Sequence, residues 1–246
     1  MVGRRAFVSG LAGVAGVSVL GGCRGGTDRA GPVRFGVISD THVTGPDSVD
    51  ELARAFAFLR DRGVDAVIHC GDLTDFGYIA QLESFAAAWR RAMPASVPLI
   101  LVLGNRDLTL TDKISPARRT ADRELLLLSD PAAHVRRILG IDLADGLRTV
   151  TVKGVPVVCA DWGREAGLET FMMRDPDLRD WTRPFVHVQH PHPGGTVGGP
   201  AANSPDPAGC WLNMFPKAVA VSGHSHRPFT DPATFLCRDY TFAAAG

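Results

Sequence analysis

Five short apolar runs limit what this chain can fold into more than any other feature does. They are VRFGVIS (33–39), AVIHC (66–70), PLILVLG (98–104), FVHV (185–188) and KAVAV (217–221), each almost unbroken rather than alternating. An unbroken apolar strand is one covered on both faces, as parallel strands packed between helices are. Ser48–Arg62 carries Leu52, Ala55, Phe56 and Leu59 at helical spacing, with Ser48 placed to cap, and a second helix is expected from about Tyr78 to Arg91. Strand–helix–strand order implies parallel pairing and an α/β fold. LRTVTV and VPVVCA, joined by Lys153-Gly154, read as a hairpin, and ATFLC and YTFAA as a final strand pair. Leu108–Leu139 reads as helical with a break at Asp130-Pro131, Leu178–Trp181 as part of a short helix, and His190–Gly209 as a long Gly/Pro-rich loop.

Each of the five runs ends in polar residues. They are Ser39-Asp40-Thr41-His42, Gly71-Asp72-Leu73-Thr74-Asp75, Gly104-Asn105-Arg106-Asp107, Gln189-His190-Pro191 and Gly223-His224-Ser225-His226. The steps from Asp40 to Asp72, Asp72 to Asn105 and His190 to His224 are 32, 33 and 34 residues, each about one strand–helix–strand unit. Parallel strands present their C-terminal ends at one edge, so the clusters should gather where open α/β sheets place ligands. Carboxylates, an amide oxygen and imidazoles without thiolates suit Mn, Fe or Zn. Seven such side chains exceed one tetrahedral ion and distribute over two that share a carboxylate. Formal net charge is zero and aromatics are 7%, so neither a basic face nor a base-stacking surface points to a nucleic-acid partner.

The N-terminus reads separately. Arg4-Arg5 precede an apolar, Gly-rich run to Gly22, too short and too rich in glycine to span a bilayer but suited to an export signal. Arg4-Arg5-Ala6-Phe7-Val8 resembles a twin-arginine signal, and Leu20-Gly21-Gly22-Cys23 a bacterial lipobox that would make Cys23 the lipidated first mature residue. The expected organisation is a signal over 1–22, a linker over 23–32 and one domain over 33–246. The expected location is the extracytoplasmic face of a bacterial membrane, held there through Cys23. Cys70 and Cys159 lie in apolar runs and read as core residues, while Cys210 and Cys237 are candidates for pairing after export.

The ordered set D-x-H, G-D-x-x-D, G-N-x-D, H and G-H-x-H, each after its own strand, resembles the calcineurin-like metallophosphoesterases over residues 33–226. The resemblance implies two mixed β-sheets sandwiched between helices in four layers. It also implies a centre of two divalent or trivalent ions and hydrolysis of a small phosphoester, a phosphodiester being favoured, through a metal-bridging hydroxide. By match, Asp40, His42, Asp72 and His226 would hold one ion, and Asp72, Asn105, His190 and His224 the other.

The sequence departs from the family pattern at two places. Arg106 stands where the family usually has a histidine; a guanidinium cannot donate a proton near neutral pH but can neutralise a phosphoryl oxygen. Its alternative role is a surface pair with Asp107. QHPHP replaces the usual H-H-P-P, so Gln189, His190 and His192 compete for one ligand position, with His190 preferred. Arg106, Asp107 and His192 are the candidate catalytic residues, His192 as the nearest replacement acid. Asp75 is expected to orient a histidine, His69 and His187 to be packed, and His134 to face solvent. The alternative function is a non-catalytic metal- and phosphate-binding protein that lost turnover through Arg106.

Overall fold

The computed structural model describes residues 32–108, 121–122, 125–175, 178, 183–194, 196, 211–226 and 241–245, and the backbone of 15–19 and 235–237. Two sheets form its centre. The first contains β1 (Ala15–Val19), β2 (Val33–Ile38), β3 (Ala66–His69) and β4 (Leu99–Leu101) in that order. β2, β3 and β4 are parallel and β1 is antiparallel to β2. The second contains β5 (Leu147–Val152), β6 (Val155–Ala160), β7 (Phe185–Gln189), β8 (Ala218–Ser222), β9 (Phe235–Cys237) and β10 (Thr241–Ala244), ordered β5-β6-β7-β8-β10-β9. Its middle four strands are parallel, and β5 and β9 run antiparallel at the edges.

The side chains of each strand divide between two cores. Val33, Phe35, Val37, Ile68 and Val102 of the first sheet meet Val157, Val186, Val188 and Val221 of the second. Ile38, Val67, Leu101 and Leu103 face the other way, onto α1 (Val49–Asp61), α2 (Ile79–Ala92) and, across a third contact, α4 (Pro131–Leu139), while the short α3 (Asn105–Leu108) follows β4. Phe56 of α1 packs edge-on against Phe85 and Trp89 of α2 at 5.6 and 5.1 Å. Behind the second sheet, Val158, Ala220 and Phe242 pack on Leu168 and Met172 of α5 (Leu168–Arg174) and on Trp211 and Phe215. The result is the expected sandwich: helices, sheet, sheet, helices. Full burial of each large side chain contributes about 1.5–3 kcal/mol before entropy is counted, and burial on both faces explains why the runs do not alternate.

Several local readings hold and several shift. The hairpin turn is Lys153-Gly154, both at positive φ (46° and 80°), the geometry of a tight primed turn. Ser48 precedes α1, but its hydroxyl accepts from Thr44 N instead of capping the helix. Asp130 caps α4 through Ala133 N at 3.0 Å. Helix α5 was not expected from the sequence. Residues 179–182, most of the loop to Gly209, Cys23 and Cys210 lie outside the described residues, and Cys237 is described by its backbone alone.

Ala15–Val19, which the sequence reading sets aside as part of a signal, lies along β2 as an edge strand. The open edge of β2 presents free N–H and C=O groups, and a short run of small apolar residues satisfies them readily. Among the described residues no helix is long and apolar enough to cross a membrane.

Candidate metal centre

The C-terminal ends of β2, β3, β4, β7 and β8 bring their polar turns together, and the turns are hydrogen-bonded to one another. Asp40 N donates to Gly71 O (3.0 Å), His42 N to Asp72 O (3.1 Å) and Val43 N to Leu73 O (2.9 Å). His224 N donates to Asp40 Oδ2 at 2.9 Å and Arg106 N to Asp72 Oδ1 at 2.8 Å. Asp40, His42, Asp72, His224 and His226 all adopt positive φ, between 40° and 78°. Residues other than glycine take this conformation at a cost of about 1–3 kcal/mol each, and such strain concentrates at functional sites. Two glycines permit the close approach. A Cβ on Gly104 would stand 2.2 Å from Asp72 Oδ1, and one on Gly223 1.8 Å from Ser39 Oγ and 2.3 Å from Asp40 Oδ2.

All seven residues expected as ligands are brought together, in two neighbouring sets. In one, His42 Nε2 lies 3.1 Å from His226 Nε2, 3.8 Å from Asp40 Oδ1 and 3.7 Å from Asp72 Oδ2, and His226 Nε2 lies 3.3 Å from Asp40 Oδ1. In the other, His190 Nε2 lies 3.0 Å from Asn105 Oδ1, 3.2 Å from His224 Nδ1 and 3.3 Å from Asp72 Oδ2, with His224 Nδ1 3.1 Å from Asn105 Oδ1. Asp72 Oδ2 therefore faces both sets. Asp40 is also central, since its carboxylate falls within compact groups with His42 and His226 and with Asp72 and His190.

These spacings fit metal ligation. Two donors about 2.1 Å from one ion stand about 3.0 Å apart at a right angle and about 3.4 Å apart at the tetrahedral angle. Asp40 Oδ1 is buried without a hydrogen bond, and a cation would satisfy it. His190 Nδ1 donates to Cys70 O at 2.8 Å, which leaves Nε2 with its lone pair toward the cluster. His42 Nδ1 faces Asp75 Oδ1 at 3.5 Å, an electrostatic contact without a hydrogen bond.

The electrostatics agree with the geometry. Burial alone would raise the Asp40 carboxyl, but the His226 and His42 imidazoles hold it well below the usual carboxylate range. Burial alone would lower His42 and His190. The Asp40 and Asp75 carboxylates raise His42 to about 9, and Asp72 raises His190 to about 9. Burial and the His190 charge lower His224. In the absence of an ion, the acidic field gathers protons where it would otherwise gather metal.

The neighbours of these residues divide into supports and bystanders. Asp107 is fully buried. One carboxylate oxygen accepts from Thr74 N (2.9 Å) and Thr74 Oγ1 (2.7 Å), the other from Gly104 N (2.9 Å) and Leu73 N (3.2 Å). Burial and the Asp72 charge push Asp107 up to about 6 against these four donors. The expected catalytic role is thus corrected: Asp107 spends both oxygens joining the Asp72 and Asn105 turns, and it does not pair with Arg106. Among the described residues the Arg106 guanidinium has no ion-pair partner.

His192 uses its Nδ1 outside both donor sets. It is buried, with Nδ1 2.7 Å from Ser222 Oγ and its ring edge-on to Phe242. Gln189 bridges His187 Nε2 (2.7 Å) and Pro191 O (2.9 Å), leaving His190 as the residue of QHPHP that enters. His69 is buried and held down to about 3 by that burial. Its Nδ1 accepts from Gly71 N and its Nε2 donates to Thr41 Oγ1. His134 sits on α4, 3.1 Å from Ser129 Oγ.

Three residues escaped the sequence reading. Asp161 and Trp162 follow β6, a parallel strand whose end lies beside Gln189. The rule applied to the other five runs, extended to VPVVCA, finds them. Trp162 stands against the second donor set, its ring centroid 5.5 Å from His224 and 5.9 Å from His190. Asp161 Oδ1 accepts from Leu103 N (3.1 Å) and from Arg148 (3.2 Å), which also donates to Leu101 O. This buried pair ties the second sheet to the turn that carries Asn105.

Comparison with known proteins bears on the family and the fold. Residues 33–228 match the family model described as calcineurin-like phosphoesterase. The fold is similar to that of a purple acid phosphatase from yellow lupin (Lupinus luteus) seeds, at 15% identity and a TM-score of 0.52, covering 88% of this chain and 47% of that one. It is equally similar to a dimetal phosphatase from Danio rerio, at 14% identity and a TM-score of 0.52, covering 85% and 86%. The chain thus spans about half the length of the lupin enzyme. No curated protein matches the sequence.

Proposed function

The chain belongs to the calcineurin-like phosphoesterase family, and on that footing we propose that it hydrolyses a phosphodiester at a two-ion centre. The observation that carries this reading is Asp72 Oδ2, 3.7 Å from His42 Nε2 and 3.3 Å from His190 Nε2, so that one oxygen serves both donor sets. Asp40, His42, Asp72 and His226 would hold one ion, and Asp72, Asn105, His190 and His224 the other. Oxygen and imidazole donors without thiolate suit Mn, Fe or Zn. When bound, such ions polarise phosphoryl oxygens and make a nucleophile of water near neutral pH.

The remaining work falls to the chain itself. The Arg106 amide holds Asp72 Oδ1, which aims Oδ2 at the donors. Its guanidinium, always charged, binds a non-bridging phosphoryl oxygen as negative charge grows there. It cannot protonate the departing oxygen, and Nδ1 of His192 is held by Ser222. The favoured substrate therefore has a leaving group that departs with little protonation.

Purified protein supplied with Mn should hydrolyse bis-p-nitrophenyl phosphate faster than p-nitrophenyl phosphate. Asp72→Ala should lose turnover and bound metal together, and Arg106→Ala should lower kcat/KM by roughly a hundredfold. Two bound ions without turnover would instead favour a non-catalytic phosphate-binding protein, the reading that Arg106 in place of a proton donor supports.

A further inference from the structure

A cleft of about 230 Å³ opens beside the second donor set, between the start of α4, the Leu143–Gly146 loop and the Asp161–Arg164 turn. No residue of the phosphoesterase reading lines it. Leu103, Leu108 and Leu143 give it an apolar part beside the charged Asp130, Asp145 and Arg164, and one wall is the half-buried Trp162, whose ring also neighbours the imidazoles of His190 and His224. An apolar protein cavity of about 150 Å³ holds a benzene ring, so this volume accommodates a single aromatic ring with substituents.

Resting on the phosphoesterase reading, we propose that Trp162 and this cleft form the leaving-group subsite, and that the substrate class is an aryl or heteroaryl phosphoester. The indole is a rigid platform, because its backbone is tied to the metal-binding turn. Trp162 N donates to Leu103 O at 2.9 Å, and Leu103 N donates back to Asp161 Oδ1 at 3.1 Å. A ring joined by one ester oxygen to a phosphoryl group at the donors lies within reach of an indole 5–6 Å from His224 and His190. Stacking there is favourable for a flat π-system and offers little to a small hydrated alcohol.

A second observation points the same way. Arg106, which cannot give up a proton near neutral pH, stands in the G-N-x-D turn, and Nδ1 of His192 is held by Ser222. A phenol-type alcohol ionises near pH 10, far below bulk water at about 15.7, so it leaves as its anion with the least need of a proton. The indole wall and a guanidinium that cannot give up a proton favour the same leaving group.

The test is binding to the metal-loaded protein, measured by calorimetry with phenylphosphonate and methylphosphonate, which share a head group and differ by the ring. Wild type should bind phenylphosphonate roughly tenfold tighter, equivalent to about 1.4 kcal/mol. Trp162→Ala should remove that preference without weakening methylphosphonate, and Trp162→Phe should keep most of it. Ala132→Phe fills the cleft from the opposite wall and leaves Trp162 in place. It should remove the preference too, and it decides the matter if Trp162→Ala does not fold. Equal binding of the two ligands by wild type, or a preference that survives Ala132→Phe, overturns the subsite alone. Failure of both ligands to bind overturns the phosphoester reading and this proposal with it.

Discussion

The two donor sets that meet at Asp72 are built differently. In the set of Asp40, His42, Asp72 and His226, every residue sits at positive φ, and the His226 side chain is 55% exposed. In the set of Asp72, Asn105, His190 and His224, Asn105 and His190 keep ordinary backbone, and His190 is fully buried with its far nitrogen fixed on Cys70 O. The first set is strained, and it is held in place by hydrogen bonds between the Asp40 and Asp72 turns. The second is held by packing and by Asp161 and Asp107 around the Asn105 turn. Preorganisation of ligands raises metal affinity. The buried set should therefore bind its ion tightly, and the open set should exchange with solvent.

Single ligand removals should break this contrast most visibly. His190→Ala should weaken binding at the tighter of two calorimetric sites by at least roughly a hundredfold, and His226→Ala should weaken only the looser one. Equal losses at both would mean that the difference in burial carries no energetic weight.

Next in size is the effect of pH. His42 and His190 are both raised from an ordinary 6.5 to about 9 in the ion-free protein, one in each set. Each is then protonated near neutrality, and each ion must displace a proton. Affinity at both sets should climb by up to about tenfold per pH unit from pH 7 toward 9 and then level, read by titration in buffers of different ionisation enthalpy. The sign for stability is opposite. A raised folded pKa contributes stability that is complete below about 6.5 and lost as pH rises through 9. Ion-free protein should melt a few degrees lower at pH 9.5 than at pH 6.5, and loaded protein should not.

Smallest is Asp107→Asn. It turns one accepting oxygen into a donor facing backbone N–H groups, at a cost of about 1–3 kcal/mol. That corresponds to a fall in Tm of roughly 2–4 °C per kcal/mol for a domain of this size. If Asp107 only joins the two turns, the loss should appear in melting and weaken both ion sites alike. A fall in kcat with Tm and metal binding unchanged would restore the direct role that its buried position argues against.

Much of this protein could be read from one dimension. Covering of a strand on both faces is written in unbroken runs such as AVIHC and KAVAV, because burial acts on each side chain where it stands. Strand–helix–strand order then forces the strand ends to one edge, so the polar turns had to meet. The seven side chains at those turns do lie together, and His190 is distinct from the buried His187 of the preceding strand. Which way a side chain points within a turn is a different matter. His42 and His226 lie 3.1 Å apart yet 184 residues apart in sequence, and Asp107 turned from the site to hold Thr74, 33 residues upstream. Left-handed backbone at Asp40 and Asp72, the hold of Ser222 on His192 Nδ1, and the stand of Trp162 beside His224 depend on partners that no local pattern names. Composition and periodicity determined the sheets and their common edge because they act locally; contacts across the sandwich decided which residues of each polar turn face the centre.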